Sequence, residues 1–292
     1  MAIFLQTVPL GTNLIDGPKW QTGNGIIGES PGVGLRPKNS EDLIDSAIIM
    51  YNMESTQNRT KEEKLENKVA SYQEWTARIT KFLAATYENK TYANADTRDC
   101  SKEKVTAQNG CKFDVTELKK HCQGTGKADQ FGYDKGEPCV FLKLNRIFGL
   151  ENSPFNENGN ETDWKPEDMP EELKTHIDSQ KDKKQVWVHC QGKYPADKEM
   201  LKGKDGNAAI TYYPASQGFH SNYFPFKMQK DYLSPLVAVK FSPVKAIGQL
   251  IHIECRAWAK NIGYDRRDKI GISVFELYIM NDKTTKMYNE IN

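Results

Sequence analysis

Six cysteines set the strongest constraint on how this chain can fold. Their number is even and no two are separated by just two residues; they are Cys100, Cys111, Cys122, Cys139, Cys190 and Cys255. The Cys-x-x-Cys spacing of zinc-binding and thioredoxin-like proteins is therefore missing. An even set of this kind is typical of disulfide-bonded proteins from an oxidising compartment. Because six cysteines allow fifteen pairings, their spacing alone leaves the connectivity open.

Three N-glycosylation sequons point to the same compartment. Asn58, Asn89 and Asn160 each begin an Asn-x-Ser/Thr triplet with no proline in the middle, and all three lie in polar stretches. An asparagine in such a stretch is accessible to the glycosylation machinery, and its glycan stays hydrated. The cysteines and sequons together predict a secreted or exofacial protein. Free thiols in a cytosolic protein are the alternative.

Charge and polarity narrow the classes of function. The chain has 292 residues, with 40 basic and 39 acidic side chains and a formal net charge of +1. Such a balance creates no field that would concentrate a polyanion, so we expect no nucleic-acid partner. Hydrophobic residues make up only 38%, which predicts many loops and solvated faces. The first apolar run, residues 2–5, is too short to cross a bilayer, so we expect any membrane segment to lie upstream of Met1.

Hydrophobic periodicity predicts a mainly β fold with one long helix. Gly and Pro are frequent up to residue 40, which predicts a linker over 1–40 and a single domain over 41–292. Apolar residues at steps of three and four over residues 61–88 predict an amphipathic helix. Strand-like runs occupy 140–144, 186–190, 233–241, 249–258 and 272–280, with a short candidate at 47–51. Because no helices alternate with them, we predict an antiparallel β-sandwich.

Two polar segments interrupt this pattern. Residues 99–139 contain too few apolar side chains to hold a structure without disulfides. Residues 151–184 show little periodicity apart from a short helical stretch near Pro170, and we predict that they form an exposed excursion.

A zinc site and a disulfide compete to explain the last two cysteines. His189 precedes Cys190, and His252 lies three residues before Cys255. In a strand, residues one or three apart point to opposite faces, so each histidine lies opposite its cysteine. A buried disulfide that ties two strands across the core is the better account, and we expect no metal. Its loop of about 65 residues would stabilise the fold by roughly 4 kcal/mol.

Aromatic residues interleaved with prolines form the most unusual segment. Tyr223-Phe224-Pro225-Phe226 is followed by Tyr232-Leu233-Ser234-Pro235. Because proline breaks a strand ladder, these aromatics cannot all belong to central strands. We predict that some lie at an edge, where Tyr and Phe make good binding anchors. Aromatics that simply cap the end of the sandwich are the alternative.

Several long motifs resemble a known family. They are Ser30–Pro37, Gly132–Cys139, Leu142–Ile147, Tyr223–Phe226, Tyr232–Val239 and Ile253–Ala257, the last continuing to Tyr264. From about Pro18 to Met280 the chain resembles the extracellular domain of beta subunits of the sodium/potassium-transporting ATPase, particularly the insect members.

This resemblance implies the fold, the disulfides and the contact residues. It implies an immunoglobulin-like sandwich and pairing in chain order, Cys100 with Cys111, Cys122 with Cys139 and Cys190 with Cys255. The residues carried over as the contact with the catalytic alpha subunit are Tyr223, Phe224, Pro225, Phe226, Tyr232 and Leu233.

The resemblance also implies a function in ion transport without chemistry of its own. Family members are single-pass plasma-membrane glycoproteins whose large domain is extracellular. They bind the catalytic subunit, assist its folding and delivery to the membrane, and modulate potassium transport. We therefore expect no enzyme activity and no cofactor. A cell-adhesion ectodomain with a homophilic partner is the alternative.

Overall fold

The computed structural model describes residues 30–38, 47–53, 71–92, 96–106, 109–123, 129–155, 166–203, 209–242 and 247–281. Asn58, Asn160, residues 61–70 of the predicted helix and most of the predicted linker lie outside these ranges.

Strands dominate the described elements. In chain order these are β1 (Val33–Arg36), β2 (Ala47–Asn52), α1 (Tyr72–Leu83), β3 (Arg98–Asp99), β4 (Cys111–Lys112), α2 (Thr116–Gln123), β5 (Cys139–Leu144), α3 (Glu171–Ser179), β6 (Gln185–Gly192), α4 (Pro195–Met200), β7 (Ile210–Tyr213), β8 (Gly218–His220), β9 (Val237–Phe241), β10 (Leu250–Trp258) and β11 (Ile272–Met280). A π-helical turn, Ala84–Glu88, continues α1, and 3-10 turns occupy Tyr133–Lys135 and Ser221–Tyr223. The mainly β prediction is confirmed.

Two sheets carry the fold. One has four antiparallel strands in the order β1-β5-β9-β7, and the other has five in the order β2-β11-β10-β6-β8. In the second sheet only β2 and β11 are parallel, with Ala47 opposite Phe275. The purely antiparallel prediction missed this pair, because the register of strands so distant in sequence leaves no local signal. The short strands β3 and β4 form a separate parallel pair.

The main core lies between the two sheets. In β10 every second side chain points inward, and Ile251, Ile253 and Cys255 are fully buried, as their alternation predicts. The rings of Phe241 in β9 and Phe275 in β11 meet edge to face at 5.9 Å between centroids. These contacts join the four-stranded sheet to the five-stranded one. The immunoglobulin-like assignment of this arrangement stays a prediction.

Helix α1 follows the predicted apolar stripe in its described part. Trp75, Ile79 and Leu83 are buried, and the Trp75 indole Nε1 donates a hydrogen bond to the Met50 carbonyl of β2, at 2.9 Å. The helical region ends at Glu88, the last residue of the π-helical turn, and the periodicity predicts the same end. The helix thus packs against the edge strand of the five-stranded sheet.

A second, smaller core corrects the exposed excursion predicted for residues 151–184. In its described parts, Leu173 and Ile177 of α3 are fully buried with Met169 and Phe155. They pack on Trp187 of β6 and Trp258 of β10, on the outer face of the five-stranded sheet. Helix α3 buries only two side chains, Leu173 and Ile177, so its sequence pattern is weak. The two tryptophans on the sheet supply much of the apolar surface of this core.

Two predicted boundaries move. The strand predicted over 233–241 begins only at Val237, because Pro235 has no N–H to offer a ladder. Within the predicted 1–40 linker, Val33–Arg36 form β1 and pair with β5. The domain therefore includes residues before position 41, and the division is otherwise untested.

All six cysteines form disulfides, paired in chain order as the family resemblance implies. Cys122–Cys139 ties α2 to β5, and Cys100–Cys111 closes the segment around β3 and β4. Cys190 and Cys255 lie opposite each other on adjacent strands, with their Cα atoms 3.9 Å apart. This bond therefore lies within one sheet, and the prediction that it would cross the core is wrong. The sequence pattern showed the buried face of Cys255 but not which strand lies beside it.

Candidate partner-binding site

The aromatic segment, residues 221–236, connects β8 to β9. After β8 it forms a 3-10 turn at Ser221–Tyr223 and then runs without regular strand pairing until Val237. Pro225 and Pro235 lack the N–H that a strand ladder requires. The prolines thus keep this segment out of the sheets, as predicted.

Tyr232 organises the centre of the aromatic segment. Its hydroxyl donates a hydrogen bond of 2.8 Å to the Tyr223 carbonyl, and its ring lies 5.0 Å from that of Phe226. The Leu233 N–H donates to the Cys111 carbonyl at 2.8 Å. These contacts fold the segment back on itself and fasten it to the disulfide-bonded region.

Arg146 is held by the same aromatic rings. Its guanidinium carbon lies 5.2 Å from the centroid of Phe226 and 5.4 Å from that of Tyr232. Its Nε donates to the Ser234 hydroxyl at 3.1 Å, and its Nη2 donates to the Tyr232 carbonyl at 3.2 Å. These contacts hold the guanidinium group in one orientation.

A row of rings links the aromatic segment to α1. Tyr223 meets Phe113 at 5.6 Å, and Phe113 meets Tyr87 at 5.9 Å, both edge to face. The Tyr87 hydroxyl donates to the Ser234 carbonyl at 2.9 Å. Burial raises the pKa of Tyr87, Tyr223 and Tyr232, so these hydroxyls stay neutral hydrogen-bond donors.

The six predicted contact residues are brought together but buried. All six residues are buried, and the exposed fraction of the Phe224 side chain, for example, is only 7%; the six are Tyr223, Phe224, Pro225, Phe226, Tyr232 and Leu233. All five non-proline residues of this set belong to the main core cluster. Whether they contact a partner stays a prediction.

The exposed part of this region is a loop, residues 227–231, that the sequence did not single out. Met228 at its tip is 47% exposed and has a φ of 58°. Gln229 holds the loop: its Oε1 accepts from the Lys227 N–H at 2.8 Å, and its Nε2 donates to the Pro225 carbonyl at 2.9 Å. A glutamine between lysines gives no signal of such a role in the sequence.

Of the three predicted glycosylation sites, Asn89 is described. It is exposed and directly follows the π-helical turn. Elsewhere, the parts of the chain that the structure describes contain no cluster of three or more His, Cys, Asp or Glu side chains able to hold a metal ion. In the same parts, no helix is both long and apolar enough to span a bilayer.

Comparison with known proteins decides the family. The sequence model of the protein family described as the sodium/potassium ATPase beta chain matches residues 1–275. The chain belongs to this family. Among its beta-chain relatives, subunit beta-1 of the sodium/potassium-transporting ATPase of Drosophila melanogaster is 36% identical over 270 residues, covering 90% of this chain and 75% of the relative. Subunit beta-2 from the same organism is 34% identical over 277 residues, with the same coverage. Human subunit beta-2 is 33% identical over 174 residues, covering 58% of this beta chain and 48% of the relative.

Proposed function

We propose that this beta chain is a non-catalytic subunit that binds the catalytic alpha subunit of a sodium/potassium pump. In this role it assists the folding of the alpha subunit and its delivery to the plasma membrane, and it modulates potassium transport from the extracellular side. The observation that carries the proposal is the family match over residues 1–275. The family and its relatives are named for the pump, and they give no support to the adhesion alternative.

The structure supports an extracellular location for this role. Three disulfides need an oxidising compartment, and the exposed Asn89 sequon suits a glycan. We propose that Asn58, Asn89 and Asn160 carry N-linked glycans. A peptide glycosidase should lower the mass of the secreted or surface-expressed protein, and the variant Asn89→Gln should lose one such step. A mass that the enzyme leaves unchanged would contradict the location.

The aromatic segment is the proposed contact with the alpha subunit. Because its six predicted residues are buried, they support the contact surface, and the loop at 227–231 presents it. Fixed, well-packed aromatic rings beneath a small exposed apolar tip are a common arrangement at binding hot spots.

Co-purification tests this function. The tagged beta chain and an alpha subunit are co-expressed, extracted in mild detergent, and the amount of alpha subunit is measured. We expect stoichiometric recovery, and we expect Met228→Asp to reduce it. Leu250→Asp is the matched control, because Leu250 is also 47% exposed but begins β10 of the five-stranded sheet, outside the aromatic segment. Absence of the alpha subunit with a folded, glycosylated beta chain would refute the proposal, and equal losses in both variants would refute the contact site.

A further inference from the structure

Three cationic side chains lie near one another, and one of them, Arg146, packs on the aromatic segment; we name Arg36, Lys143 and Arg146 the cation cluster. Arg36 ends β1, which is the edge strand of the four-stranded sheet, and Lys143 lies in the neighbouring strand β5. Arg36 is opposite Phe141, so Arg36 and Lys143 are diagonal neighbours on one face of the sheet. The residue directly opposite Lys143 is Gly34, and the Asn145 amide oxygen lies 3.4 Å from where a Cβ at Gly34 would be.

No acidic side chain balances these charges within the described ranges. Among the described residues, Arg36 donates a hydrogen bond only to the adjacent Leu35 carbonyl, at 2.6 Å, and its guanidinium carbon lies 5.3 Å from the Phe82 ring. Arg146 bonds to a hydroxyl and a carbonyl, and Lys143 forms no ion pair with a described residue. By contrast, Lys240 on the same sheet pairs with Glu137, with 2.7 Å between Nζ and Oε2.

The cluster is electrostatically unfavourable in the isolated chain. Burial, followed by the charges of Arg36 and Arg146, lowers the pKa of Lys143, and burial lowers the pKa of Arg36. Like charges that are partly removed from water repel one another more strongly than they would on an open surface. An arrangement of this kind becomes favourable when an anion joins it.

The shape of the site favours a carboxylate. Arg146 uses Nε and Nη2 for the contacts within the chain, and no described residue accepts a hydrogen bond from its Nη1. Its plane is fixed by Phe226 and Tyr232, so the remaining donors have a set direction. A planar carboxylate fits the donor fork of an arginine, and the nearby amine adds charge.

We propose that the cation cluster receives an Asp or Glu side chain from an extracellular segment of the alpha subunit. This inference rests on the proposed function. The cluster adjoins the proposed contact, because Arg146 packs on the rings of Phe226 and Tyr232. The acidic side chain would neutralise the cluster and fix the orientation of the two subunits.

Charge variants at Lys143 test the inference, because stability and association should change in opposite directions. Lys143→Met removes repulsion, so the thermal midpoint of the beta chain should not fall. Its affinity for the alpha subunit in mild detergent should drop about tenfold or more, with a weaker dependence on NaCl between about 0.05 and 0.5 M. Lys143→Glu supplies a carboxylate within the chain, so it should raise the midpoint and weaken association further.

Lys240→Met is the matched control. It breaks the ion pair with Glu137, so the midpoint should fall while affinity and salt dependence stay unchanged. Wild-type association that neither Lys143 variant weakens would overturn the inference and leave the proposed function standing. Failure of the wild-type chain to associate would overturn both. Salt-sensitive binding to phosphatidylserine vesicles that Lys143→Met abolishes, with subunit affinity unchanged, would assign the cluster to a membrane and also overturn the inference.

Discussion

Removing the disulfide within the five-stranded sheet should destabilise the domain more than removing either of the others. The separation between Cys190 and Cys255 is 65 residues, against 11 for Cys100 and Cys111. In the chain-entropy model the longer loop stabilises the fold by about 4 kcal/mol and the shorter one by about 3 kcal/mol. The four cysteines are at most 2% exposed, so the cavities left by alanine are similar and the loop difference of roughly 1.5 kcal/mol remains.

The assay is equilibrium unfolding in urea, followed by tryptophan fluorescence, on two double variants. One is Cys190→Ala with Cys255→Ala, and the other is Cys100→Ala with Cys111→Ala. We expect the first to lose more free energy of unfolding and to be secreted in lower yield. If the Cys100–Cys111 variant lost as much or more, the loop-entropy reasoning would be refuted.

Three further predictions concern the core and its titration. Tyr212→Phe removes the hydroxyl that accepts a hydrogen bond of 2.8 Å from the Cys190 N–H and so links the two sheets. We expect the free energy of unfolding in urea to fall by about 1–3 kcal/mol. The control Tyr213→Phe, on the same strand, should change it little. Leu173→Ala should cost about 2–5 kcal/mol because Leu173 is fully buried in the second core; a loss below about 0.5 kcal/mol would show that α3 does not stabilise the sheet. Burial lowers the pKa of His189 from 6.5 to about 4. Between these values the unfolded chain binds a proton that the folded chain does not, so the free energy of unfolding is highest above pH 6.5 and decreases as the pH falls towards 4. His189→Gln should therefore make unfolding less pH-dependent in that window, and an unchanged profile measured by circular dichroism would count against this assignment.

Local patterns were enough to predict the elements whose burial follows a short period. In β10 the alternation of Ile251, Ile253 and Cys255 matched the inward face. In α1 the spacing of Trp75 and Ile79 matched the packed stripe. Both predictions succeed because each element buries a single well-defined face.

Features that depend on distant partners could not be predicted from the sequence in the same way. The prolines correctly indicated that the aromatic residues around Pro225 do not all belong to central strands, yet the sequence could not show that Phe113 and Arg146 cover their rings. The sequence likewise could not show that Arg36, more than a hundred residues away in the chain, lies near Lys143. The contacts that build the candidate site can therefore be identified only from the folded structure.

The parallel pairing of β2 with β11 has a consequence for synthesis on the ribosome. The strand that contains Ala47 can pair only after Phe275 has been synthesised, which takes roughly 10 to 45 s at usual translation rates. During that interval the emerging chain exposes an unpaired strand edge, which invites chaperone binding and aggregation. The five-stranded sheet is completed only when β11 has been made, so a chain cut short before Met280 cannot close it. Completion of the sheet thus reports that synthesis has passed Met280.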